Sequence, residues 1–104
     1  MVKITFTQQA KSELREIKEY IALHSPLQAE RVVNNIIAEI QKIPLHPTTG
    51  RPVIITATNT IRQILVYKYR IFYREHKGQI QVLSIFHSSR LLDNNPGLQQ
   101  FFEE

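Results

Sequence analysis

The stretch "YRIFYREHKGQIQVLSIFH", Tyr69 to His87, decides the fold, because it holds two β-rich runs joined at "KG". Before the joint, Tyr69, Ile71 and Tyr73 alternate with Arg70, Phe72 and Arg74, the period of two that a pleated strand imposes. Gly78 supplies the positive φ that a two-residue hairpin loop needs, so Lys77-Gly78 is the predicted turn. Counted back evenly from that turn, Arg70 faces Ile85 and Lys68 faces His87. Residues directly opposite share a face of the sheet with Cβ atoms about 5 Å apart, so a cluster of Lys68, Arg70 and His87 is expected. A slip of one residue would send one strand's side chains to the other face. After the turn, "VLSIF" is apolar at both parities, as a central strand covered on two sides should be.

Upstream, "VIITAT" and "TIRQILVY" add two more β-rich runs, and "PLHPTTGRP", with three prolines and a glycine, reads as the loop before them. The junction at Tyr67-Lys68 has no glycine to mark it as a turn. Two helices precede the loop. In "SPLQAERVVNNIIAEIQKIP", Ser25 is the predicted N-cap, Pro26 the first helical residue and Gln28 the partner completing a capping box. Ala29, Val33, Ile36, Ile40 and Ile43 form its apolar stripe, and Pro44 ends it. The earlier helix starts after Thr7 and aligns Ala10, Leu14, Ile17 and Ile21, leaving Lys11, Arg15, Lys18 and Glu19 elsewhere on the wheel. The link "HS" is short enough to force an antiparallel helical hairpin. "VKITF" alternates as an opening strand. The order predicts an α+β domain in which the hairpin covers one face of a mainly antiparallel sheet.

The chain has 104 residues, about the size of one domain, so 1–104 is read as a single unit with 91–104 as a tail. In that tail Asn95 and Pro96 predict a short helix with Leu98, Phe101 and Phe102 on one face. No apolar run has the eighteen or so residues that cross a bilayer, and the N-terminus shows no signal-peptide pattern, so a cytosolic protein without membrane contact is expected. The absence of cysteine excludes disulfides and thiolate chemistry, and the four histidines lack metal-ligand spacing, so no cofactor or metal is expected.

From Arg51 to Arg90 there are seven Lys or Arg residues against the single acid Glu75, a local charge of +6 within a chain whose net charge is +4. Such an excess suits nucleic acid, a phosphorylated ligand or an acidic protein. An arginine can hold a phosphate bidentately while a neighbouring histidine moves a proton near neutral pH, which would suit cleavage of an RNA phosphodiester. The same cations can instead dock a carboxylate-rich protein.

Taken together, "FTQQAKSELREIKEYIALHSP", "HPTTGRPV", "IRQILVYKYRIFYRE" and "IQVLSIFHSSR" resemble the RelE/ParE superfamily of toxins, over roughly residues 3 to 90. The resemblance implies a β-α-α-β-β-β domain, growth inhibition, and a co-expressed antitoxin that wraps the toxin as a hetero-oligomer. RelE-like members cut mRNA on the ribosome. On that branch Arg70 matches the arginine of the family's "YR" strand, and His87 and Arg90 match its terminal basic motif, so these three would be catalytic. The tyrosine that many such nucleases carry after that motif is absent here, where Phe101 and Phe102 stand. ParE-like members poison DNA gyrase through protein contacts, and "YIALHSP" and "GRP" resemble this branch more closely. On it, Arg62, Lys68, Arg70, His87 and Arg90 would anchor the antitoxin or the target.

Overall fold

A computed structural model describes residues 3–88. Arg90 and the predicted tail helix lie outside the described residues. The chain runs β1 (Ile4–Phe6), α1 (Gln8–Ala22), α2 (Pro26–Gln41), a 3₁₀ turn (Ile43–Leu45), β2 (Arg51–Ile55), β3 (Thr60–Val66), β4 (Tyr69–His76) and β5 (Gln79–His87). The strands form one sheet in the order β1-β5-β4-β3-β2. Among the described strands only β1 pairs in parallel, against β5, and everything from α1 to β4 lies between these two in the chain. The expected α+β architecture holds, and β2 adds a short edge strand to the three that the family shorthand counts.

Local chemistry sets the helix starts. Ala10 N–H donates to Thr7 Oγ1 at 3.1 Å, and the same hydroxyl donates to the Leu83 carbonyl at 2.9 Å, so the cap of α1 is also tied to β5. At α2, Gln28 N–H donates to Ser25 Oγ at 3.1 Å, the forward half of the expected capping box. The Ser25 N–H bonds instead to the Ile21 carbonyl at 3.0 Å, since the tight hairpin brings the last turn of α1 within its reach.

Two apolar layers flank the sheet. On one face Ala10 of α1 and Val32, Ile36 and Ile40 of α2 pack with Ile71, Tyr73, Ile80, Val82 and Ile85. On the other, Ile54, Ile61, Phe72, Leu83 and Phe86 form a separate cluster, with the rings of Phe72 and Phe86 stacked at 5.0 Å. The double parity of "VLSIF" therefore does mean burial on two sides.

The turn at Lys77-Gly78 forms as predicted, with both residues at positive φ (53° and 73°), the geometry of a type I′ hairpin. Pairing follows the even count as far as Tyr73 opposite Val82 and then shifts, so that Phe72 faces Ser84. A β-bulge at this point sets Leu83 and Ser84 against one residue of β4. The expected partners of Arg70 and Lys68 are corrected accordingly: Arg70 faces Phe86, Tyr69 faces His87, and Lys68 lies in the turn before β4 with its carbonyl accepting the Ser88 N–H.

Candidate functional site

The bulge is held by a residue that the helical periodicity did not single out. Glu13 lies buried on the inner side of α1, and its Oε1 accepts the Ser84 hydroxyl at 2.7 Å and the Ile85 N–H at 3.0 Å. A bulged strand has a backbone donor without a ladder partner, and a carboxylate is a strong acceptor for it. The signal was present in the sequence: an acid between Ala10 and Leu14, inside the apolar stripe.

Next to Glu13, a groove of about 780 Å³ opens between α1 and the ends of β4 and β5. Glu13, Glu16, Ile17 and Tyr20 form the helix wall, with Lys68, Tyr69, Ile85 and His87 opposite. The rings of Tyr69 and His87 meet edge to face at 5.8 Å. Burial pushes the Tyr69 phenol above its ordinary pKa, with the nearby Tyr20 hydroxyl adding a smaller effect in the same direction. The other flank of α1 is different. There Phe6, Leu14, Val33 and Ile37 floor an apolar groove of about 360 Å³, rimmed by Lys11, Arg15 and Lys18. At the hairpin tip, Tyr20, Leu23 and Leu27 are 67%, 78% and 59% exposed.

The predicted cations do not form one cluster. Lys68 and His87 reach the groove together. Arg70 stands on the opposite face, since it pairs with Phe86 of the second apolar layer, and its Nε is buried without a partner among the described residues. The physical reason is the bulge, which inserts one residue between the turn and His87 and so reverses their relative facing. Arg62 is engaged elsewhere, its Nη1 donating to the Gly50 carbonyl at 3.0 Å and more weakly to Thr48 at 3.5 Å.

That loop also explains "GRP". Tyr73 donates to the Pro47 carbonyl at 2.8 Å and accepts the Gly50 N–H at 2.9 Å. A Cβ on Gly50 would lie 2.7 Å from the Tyr73 hydroxyl and 2.9 Å from the Gln63 carbonyl, so the loop closes only over glycine. The resemblance of this motif thus rests on packing. Among the described residues no group of three or more His, Cys, Asp or Glu side chains is arranged to hold a metal.

Residues 4–92 match the family described as the ParE toxin of the type II toxin-antitoxin system, parDE. The chain belongs to the ParE toxin family. A relative from Caulobacter vibrioides, "Toxin RelE2", is 30% identical over 92 residues, covering 88% of this chain and 100% of that protein. Among solved structures, the chromosomal ParDE system from P. aeruginosa aligns with a TM-score of 0.68 at 20% identity, over 84% of this chain and 96% of that one, and supports the shared fold. Family membership makes the protein a toxin of a type II pair, and implies a cognate antitoxin as its partner. No helix among the described residues is long and apolar enough to cross a membrane.

Proposed function

We propose that this toxin arrests growth by binding DNA gyrase through protein contacts, as the ParE branch does, and is neutralised by an antitoxin seated along α1. The separation of Arg70 from His87 carries this reading. Cleaving a phosphodiester calls for a group that grips the phosphate and one that moves the proton, both at a single site. Here the sheet itself stands between the arginine and the imidazole. The surfaces around α1 suit protein partners instead. The apolar groove edged by Lys11, Arg15 and Lys18 fits an amphipathic antitoxin segment bearing acids, and the exposed Tyr20, Leu23 and Leu27 offer the aromatic and aliphatic area that target contacts favour. Lys68 and His87, with Tyr69 between them, extend the same side towards the sheet. Arg70, Arg62 and Arg90 contribute to the charge that draws an acidic partner in, without a chemical role.

The test is to express the toxin alone and then assay the purified protein for gyrase-dependent DNA breaks and, in parallel, for cuts in translated mRNA. Growth arrest with DNA breaks is expected. Codon-linked mRNA cleavage without DNA breaks would replace this reading with ribosome-dependent endoribonuclease activity.

A further inference from the structure

Glu13 uses only half of its carboxylate. Oε1 takes both bonds to the bulge, whereas Oε2 is screened from water and accepts from no described group, in a residue that is only 6% exposed. A buried carboxylate oxygen without a donor is costly, so each one in a folded protein raises the question of what donates to it. The way in is the groove of about 780 Å³ that Glu13 lines.

Charge narrows the choice of donor. Glu16, three residues on and so on the same side of α1, lines this groove too, and the two acids face a single lysine, Lys68, in a chain whose net charge is +4. An anion is therefore disfavoured there and a cation favoured. The described His, Cys, Asp and Glu side chains are not grouped to hold a metal ion. Tyr20, Tyr69 and His87 surround the acids with rings. A guanidinium is planar, weakly hydrated and stacks on such rings, whereas an ammonium is compact and strongly hydrated. Across α1 the pattern reverses: Lys11, Arg15 and Lys18 rim the flank over Phe6 and Leu14, while Glu13 and Glu16 line the flank at Tyr69. A segment carrying acids for the first flank and a cation for the second matches both.

We infer that this groove is the socket for one arginine of the antitoxin, whose guanidinium donates to Glu13 Oε2 while its stem lies against Tyr20 and Tyr69. The inference rests on the reading above that the antitoxin seats along α1, and adds to it the residue type that fixes its register. Antitoxin binding and the β5 bulge then share one carboxylate.

The test uses the full toxin and its co-expressed antitoxin, with dissociation constants from titration calorimetry. Glu13→Gln keeps a carbonyl oxygen for Ser84 and Ile85 but loses the charge, and should weaken antitoxin binding at least about tenfold. Replacing the antitoxin's arginines by glutamine one at a time should find one with a similar loss against the parent toxin and little further loss against Glu13→Gln, as coupled partners require. Parent-like binding by Glu13→Gln, or the lack of any arginine coupled to Glu13, would overturn the inference. A Lys11→Ala, Lys18→Ala double variant separates the two levels. Loss of affinity there with none at Glu13 leaves the antitoxin along α1 and removes only the socket, whereas no loss on either flank removes the seat as well. Should Glu13→Gln not fold, the parent decides: the carboxyl carbon of ¹³C-labelled Glu13 should shift on saturation with antitoxin and not with one of the arginine variants. A shift that persists with every arginine variant would overturn the inference.

Discussion

The two halves of the β4–β5 hairpin behave differently. Between the turn and Tyr73 the pairing is the one an even count predicts, with His76 opposite Gln79 and Arg74 opposite Gln81. Past Tyr73 every partner is displaced by one, so His87 meets Tyr69 and faces α1 while Arg70 faces away. The turn-side half is governed by local chemistry, the positive φ of Lys77 and Gly78. The far half is governed by a contact that spans most of the chain, Glu13 on the bulge. One inserted residue is enough to separate two cations that a straight ladder would unite.

The strongest test of this contrast removes the insertion. Deleting Leu83 restores an even ladder but turns either the turn-side or the far half of β5 to the wrong layer, and should cost more than about 4 kcal/mol, leaving no cooperative thermal transition by circular dichroism. A cooperative melt near that of the parent would mean that the bulge is not specified by packing. Next comes Glu13→Leu, which leaves the Ser84–Ile85 segment without its carboxylate acceptor and should destabilise by about 3 kcal/mol in urea unfolding, since buried donors lose a charged partner.

On the turn-side half the comparable anchor is Tyr73. Tyr73→Phe strands the Gly50 N–H and the Pro47 carbonyl and should lower stability by about 2 kcal/mol, with the register of β4 and β5 unchanged in hydrogen-exchange protection. Alkaline titration gives a smaller, graded effect. Burial holds the Tyr73 and Tyr69 phenols above their ordinary pKa, so the unfolded chain loses these protons first once pH passes about 10. The stability they contribute is complete below that pH and is lost as pH rises through the folded values. Thermal midpoints should therefore fall from pH 10 upwards, with a shallower fall in Tyr73→Phe. Least of all, Lys77→Asn should stabilise by at most about 0.5 kcal/mol, because Asn-Gly suits this exposed turn better than Lys-Gly, and a loss in denaturant midpoint would contradict the I′ geometry.

Much of the architecture was legible from residue order. Thr7 and Ser25 mark helix starts and the stripe from Ala29 to Ile40 names the buried side of α2, but the helix ends at Gln41, ahead of Pro44, which lies with Ile43 in the 3₁₀ turn. The turn between Tyr67 and Lys68 was not, because Tyr67 adopts φ 55° without being glycine. Its hydroxyl accepts a hydrogen bond from the Asn35 side chain of α2, and a conformation that costs roughly 1 kcal/mol or more persists only where such a neighbour holds it. Arg62 was expected among the cations that anchor the antitoxin or the target, and only the fold shows that it secures the loop at Gly50.

For this protein, then, sequence alone determined the elements, their order and the double burial of β5, since periodicity, caps and turn residues act within a few positions of one another. Tertiary structure decided which cations share a surface. That depends on a single extra residue in β5 held by Glu13, about seventy positions away in the chain, and no local pattern records a contact of that range.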